Sequence, residues 1–152
     1  MNKLFKLLAL FTFLSINVFA QANKVNFKEI SIDIENLPKE IKAFVPEGYE
    51  ALNATSGNLN LDAIPDVILV VHQPNEKETS DVVDHPTKRP LLVLIGEGNN
   101  KYRLAARNDN AVYCVDCGGV FGDPFEGISI KNGIFSVEHY GGSAWRWTAS
   151  AC

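Results

Sequence analysis

Histidine and cysteine are scarce in this chain, three of each among 152 residues. The patterns G-x-S-x-G and H-E-x-x-H are missing, and so is any paired-carboxylate arrangement. Each of those patterns sets a nucleophile, a metal or an acid and base on one local element. Without them, an active site has to be assembled in three dimensions from distant segments. Basic residues are also in short supply, with 14 Lys and Arg against 18 Asp and Glu. That balance argues against nucleic acid and anionic membrane as partners, because both reward basic patches. There is no second C-x-x-C pair, so a four-cysteine zinc site is excluded. Beyond residue 20 no long 3.6-residue periodicity appears, which points away from helices and toward strands.

What is present begins with a leader. Lys3 and Lys6 precede an almost wholly apolar run from Leu7 to Ile16, and Val18-Phe19-Ala20 offers small residues for a signal peptidase. The run is too short for a membrane span, which needs roughly 20 residues. No cysteine follows it, which closes the lipoprotein route. Residues 1–20 therefore read as a signal peptide, and 21–152 as a single β-rich domain with no membrane span once the leader is removed. Export places the chain in the periplasm or outside the cell. Taking Lys3 and Lys6 from the 14 basic residues leaves 12 against 18 acidic, a formal charge of −6.

The expected fold is mainly β: a single small antiparallel β-sheet domain, blade-like or sandwich-like, with seven or eight strands and one short N-terminal helix. "VNFKEISIDI" (25–34) alternates apolar and polar residues as a strand does. Asn36 is placed to cap a helix from Pro38 to about Phe44. "YEALNATSG" (49–57) reads as a strand, and "DVILVVHQ" (66–73) as a central strand covered on both faces. Residues 74–90, with three prolines and mixed charges, read as a long exposed loop. "EGNN" between two apolar runs predicts a four-residue hairpin loop. Asn132-Gly133 predicts a tight hairpin.

Between the second and third strands, "GNLNLDAIPDVILV" (57–70) sets oxygen-bearing side chains at alternate positions. Asn58, Asn60, Asp62 and Asp66, with the Ile64 carbonyl, form a coherent ligand set for calcium, which takes six to eight oxygens. The stretch 57–72 resembles the D-x-N-x-D-G-x-x-D core of the FG-GAP repeat, the calcium-loop element of integrin-type β-propeller blades. More broadly, residues 38–148 are similar to small exported bacterial proteins in which text like "RPLLVLIG", "LAARNDNA" and "GGVFGDPFEGI" recurs in the same order. That resemblance implies a β domain but brings no activity with it. Asn58 stands where the family prefers Asp, and Ala63 where it prefers a left-handed Gly. With only two carboxylates, calcium affinity falls to roughly 10⁻⁴–10⁻³ M or weaker. The competing reading is a turn held by Asn and Asp bonding their own backbone.

"CVDCGG" (114–119) carries the other sharp spacing. Cys114 and Cys117 in an exported chain form a disulfide that clamps a turn. A zinc knuckle, with His139 reaching in as a further ligand, stays open as an alternative. So does redox chemistry, although that chemistry wants the first thiol at a helix N-terminus within a βαβ unit, and the flanking sequence is β and glycine. "GGVFGDPFEGI" offers Phe121 and Phe125 as inward anchors and Asp123 and Glu126 as surface carboxylates. "EHYGGSAWRW" (138–147) places Trp145 and Trp147 on one strand face, either as core or stacked on a sugar or peptide. Glu138 and His139, adjacent on a strand, face opposite sides and cannot easily share a substrate. The run "WRWT" reads as the start of a strand that "ASAC" cuts short, leaving Cys152 as an unpaired third thiol.

Two classes of function follow. The first is an exported, non-enzymatic binding or scaffolding domain at the bacterial envelope, with an unidentified ligand or envelope protein as its partner. His139, Trp145 and Trp147 are its candidate ligand contacts. The second is a hydrolase or redox enzyme, or a zinc-stabilised module, built on Cys114, Cys117 and His139.

Overall fold

The strand "DVILVVH" organises the molecule, because six of its seven residues are buried and its side chains alternate between two separate cores. The computed structural model describes residues 28–151, so the leader and the first residues of the expected 25–34 strand lie outside the described residues, and of the rest only Ile30–Ser31 forms a strand. The chain is mainly β. Its elements run β1 (Ile30–Ser31), α1 (Lys39–Lys42), β2 (Glu50–Gly57), β3 (Asp66–His72), α2 (Glu76–Thr79), β4 (Arg89–Gly98), β5 (Lys101–Val112), β6 (Phe125–Lys131), β7 (Ile134–Gly142) and β8 (Arg146–Ala151).

Two antiparallel sheets result, one of five strands in the order β1-β2-β3-β4-β5 and one of three in the order β6-β7-β8. β3 sits in the middle of the larger sheet, as its unbroken apolar run requires. Val67, Leu69 and Val71 face one core with Leu92, Leu94 and Ile41 of α1. Ile68 and Val70 face the other core with Leu91, Val112, Ile128, Ile130 and Val137. The smaller sheet therefore packs on one face of the larger, and the N-terminal segment covers the other. Burying such side chains is worth roughly 1.5–3 kcal/mol each.

Several local expectations need correction. Asn36 does not cap α1. Its side-chain amide donates to Asp33 Oδ2 at 2.7 Å, and Pro38 occupies the cap position with no side-chain hydrogen bond. There are two short helices, not one, because α2 and the Asp81–His85 bridge give structure to part of the expected 74–90 loop. The four-residue loop at "EGNN" is a two-residue turn. Asn99 and Asn100 both take positive φ, 51° and 57°, so the strands pair through Gly98 and Lys101. Asparagine tolerates that region better than most residues. Asn132-Gly133 makes the same kind of turn, with φ 54° and 79°.

The strand directions sort the connections to two ends of the sandwich. The 57–66 loop and the Asn99-Asn100 and Asn132-Gly133 turns lie at one end. The four remaining connections, 32–49, 73–88, 113–124 and 143–145, lie at the other.

Candidate functional site

At the first end, the Asn/Asp-rich loop folds on itself. Asp66 is fully buried, and its carboxylate accepts the amides of Leu59 at 2.7 Å, Asn60 at 3.4 Å and Gly96 at 2.9 Å. Asp62 accepts from the Ile64 amide at 2.6 Å and the Asn60 side-chain amide at 2.7 Å, while Asn60 Oδ1 accepts the Asp62 amide at 3.1 Å. The Asn58 side-chain amide donates to the Asp62 carbonyl. The left-handed residue is Leu61, φ 61°, not Ala63. Leu61 reaches the Asn132-Gly133 turn, where its Cδ2 lies 3.1 Å from the point a Cβ on Gly133 would occupy. One atom is left over: Asn58 Oδ1 is buried and has no hydrogen-bond partner.

At the opposite end, an ionic network that the sequence did not disclose joins three segments. The Arg89 side chain is fully buried. It gives Nε to Glu76 Oε2 at 2.9 Å and Nη2 to Glu76 Oε1 at 2.6 Å. The other side of the guanidinium grips Asp123, with Nη1 to Oδ1 at 2.7 Å and Nη2 to Oδ2 at 2.6 Å. Nη1 also reaches the Tyr113 carbonyl at 3.3 Å. A guanidinium has five N–H donors, so every one is used. His72 Nδ1 lies 3.1 Å from Glu76 Oε1 at the edge of the group. Burial alone would lower the pKa of Arg89, but the hydrogen bonds and charges of Asp123 and Glu76 raise it above the ordinary value. Burial pulls the Asp123 carboxyl up, and the Arg89 and Phe125 hydrogen bonds overcome that to leave it below its ordinary value. Asp123 is thus a bound ion, not the free surface carboxylate expected. The signal for it was weak: a lone Arg opening an apolar strand and a Glu within a polar run.

Tyr113 connects this network to the residues singled out in the sequence. Its amide donates to His139 Nε2 at 3.2 Å, its ring stacks on His139 at 4.4 Å, and it meets Trp147 edge-on at 5.8 Å. His139 is 4% exposed. Burial is the main reason its pKa falls below the ordinary histidine value, and a neutral ring is what an Nε2 acceptor requires. Glu138 faces the other way and accepts from the Ser150 hydroxyl. This opposition is the one expected of adjacent strand residues.

Cys114 and Cys117 are joined in a disulfide. The sulfurs are bonded to each other, so in this state neither is a thiolate for zinc or for nucleophilic attack. The turn they close is held from outside by Ser80, whose hydroxyl donates to Asp116 Oδ1 at 2.7 Å.

The tryptophans separate. Trp147 lies in β8 and is half-buried, its ring over Gly141, where an added Cβ would sit 2.5 Å from Cζ2. Trp145 precedes the strand and is 87% exposed. Phe121 is also exposed, not an inward anchor as expected. It packs against Tyr140 at 5.2 Å and under the Arg146 guanidinium at 5.8 Å. Phe125 is the residue that turns inward, against the second core.

Together, Val82, Val83, Tyr113, Val120, Phe121 and Trp145 are exposed large apolar residues on three of the connections at this end, 73–88, 113–124 and 143–145. Those connections are tied to each other. Ser80 bonds Asp116, the Gly142 amide donates to the Gly118 carbonyl at 3.0 Å, and the Val120 amide donates to the Gly142 carbonyl at 3.1 Å. An open cleft of about 400 Å³ lies on the other face of the large sheet, lined by Ile34, Leu37, Val45, Tyr49 and Ala51, with Glu35, Lys42 and Glu50 among its polar residues.

No protein-family model matches the chain, and no curated protein or solved structure matches it.

Proposed function

We propose that this is an exported binding module of the bacterial envelope that docks a protein partner through three connected loops bearing Val83, Tyr113, Val120, Phe121 and Trp145. The observation that carries the reading is the contrast at that end of the molecule. The charged and titratable side chains packed beneath these loops are engaged: Arg89 with Glu76 and Asp123, His139 with Tyr113, Asp116 with Ser80, and the two sulfurs with each other. Val83, Val120, Phe121 and Trp145 are presented to solvent above them, beside exposed charged residues of the 73–88 connection such as Lys77, Asp84 and His85. Catalysis needs a free acid, base or nucleophile, whereas recognition needs rigidly held aromatic anchors. Exposed apolar residues gathered on one surface mark protein interaction sites. The leader, the acidic balance and the disulfide fit an exported chain. Among the described residues no helix is long and apolar enough to cross a membrane.

A photoreactive amino acid placed at position 143, beside an intact Trp145, tests the proposal in cells that export the chain. A discrete protein adduct at 143, absent when the probe sits at exposed Leu104, supports it. No adduct at 143, or the same adducts at both positions, rejects it.

The 57–72 segment supports a second role, a degenerate FG-GAP-type loop that takes calcium weakly. The orphaned acceptor Asn58 Oδ1 favours it, because a buried oxygen without a donor is what a hard cation would satisfy. Asn58, Asn60, Asp62, the Ile64 carbonyl and Asp66 would hold the ion, which would add charge neutralisation to a turn that already stands on its own hydrogen bonds. A rise in melting temperature at a few millimolar calcium, lost in Asn58→Ala, supports this role. No shift in the parent protein ends it.

A further inference from the structure

The turn 114–117 holds more ligand chemistry than a disulfide uses. Cys114 Sγ, Cys117 Sγ and a carboxylate oxygen of Asp116 all lie within 4.8 Å of one another. Asp116 is the partner of Ser80, whose hydroxyl donates to Oδ1 at 2.7 Å while accepting the Thr87 amide at 3.1 Å. That is an outer hydrogen bond of the kind that orients a ligating carboxylate, here anchored in a separate loop. Cys117 and Asp116 are half-exposed, so the turn is reachable from solvent, while Cys114 is buried at 3% exposure.

We infer that the Cys114–Cys117 turn has a second state, in which the reduced thiolates and Asp116 form a three-ligand site for a thiophilic divalent ion such as zinc. Two thiolates and one carboxylate leave the fourth tetrahedral position to water, the pattern of an open rather than a closed zinc site. His139 is not a ligand in this assignment, because its Nε2 is engaged by the Tyr113 amide. The conversion needs a dithiol reductant. Two electrons break the S–S bond, the sulfurs take up two protons, and the dithiol closes to its own disulfide. Metal binding then expels the two thiol protons. Thiolates select soft or borderline ions, so zinc, cadmium and cobalt(II) enter while calcium and magnesium do not.

The site stands apart from the docking proposal, and either can fail alone. The test uses the mature chain with Cys152→Ser throughout, so that the third thiol contributes nothing. After reduction and removal of reductant under anaerobic conditions, cobalt(II) is titrated in. One equivalent is expected to produce a thiolate-to-cobalt charge-transfer band in the near ultraviolet, bleached by zinc. The same protein left oxidised should show no band. Asp116→Asn should weaken cobalt binding tenfold or more, and Ser80→Ala several-fold, with the melting temperature of each oxidised variant confirming its fold. No charge-transfer band in the reduced parent overturns the inference. Cobalt binding by Asp116→Asn as tight as the parent's also overturns it, since the carboxylate would then not be a ligand.

Discussion

Arg89 and Asp123, 34 positions apart in the chain, are clasped by two hydrogen bonds of 2.7 and 2.6 Å, with the arginine fully buried and the aspartate side chain 37% exposed. Glu76 completes the clasp from the buried side. The group ties α2, β4 and the loop before β6 together beneath the apolar residues that the loops present. Removing the cation strands a carboxylate inside the protein. Arg89→Met should therefore cost about 3–5 kcal/mol in urea unfolding, since breaking a buried pair costs far more than the pair contributes. Asp123→Asn, at the exposed side, should cost only about 1 kcal/mol. Equal losses for the two variants would show that Glu76 does not depend on Arg89.

Acid should act on this end of the molecule in two stages. The folded-state pKa of His139 lies below its unfolded value near 6.5, chiefly through burial. Between those values the unfolded chain holds more protons, so stability falls as the pH drops below about 6.5. Asp123 is depressed below 3.8, so its contribution is complete above that pH and disappears as the pH falls through the folded value. Melting temperatures between pH 7.5 and 5 should slope downward toward acid. The slope should flatten in His139→Gln, whatever that variant's absolute stability. An unchanged slope would mean that the neutral imidazole is not what the acid attacks.

The two ends of the Asn/Asp loop should respond differently to truncation. Asp66→Ala orphans three buried or part-buried amides, those of Leu59, Asn60 and Gly96, and should cost about 2–4 kcal/mol. Asp62→Ala, on the exposed side, should cost under about 1 kcal/mol. Gly96→Ala should match Asp66→Ala, because its Cβ would sit 2.4 Å from the Pro65 carbonyl oxygen. Chemical denaturation of the three variants checks the order.

Intact mass gives the redox state of the purified chain. Unfolded with alkylating reagent and no reductant, it should label only Cys152, and prior reduction should expose two further sites. Three labels without reduction would contradict the disulfide.

How much of this could be read from residues alone depended on how local the cause was. β3 was legible because its apolar run is contiguous, and the Asn132-Gly133 hairpin because two adjacent residues carry the whole instruction. Asp66 was legible as a loop anchor but not as a receiver of Gly96, which reaches it from a strand 30 positions away. The burial of Glu76 was invisible, since nothing near it is apolar enough to predict it. It follows from Arg89, and Arg89 in turn from Asp123. The same distance hid Phe121, whose exposure is set by where the 118–124 loop crosses Tyr140. Trp145 and Trp147 look equivalent at two-residue spacing, but β8 begins between them.

The central claim is that the loop end bearing Trp145 is a recognition surface and not an external part of the core. Trp145→Ala and Trp147→Ala in the same unfolding assay, read beside the crosslinking from position 143, test it most directly. Trp145→Ala should leave stability within about 0.5 kcal/mol of the parent and abolish the adduct formed by a probe placed at neighbouring Ser143, while Trp147→Ala should cost about 2 kcal/mol or more. A Trp145→Ala chain that is destabilised like Trp147→Ala, or that still forms the adduct in full, would contradict the account.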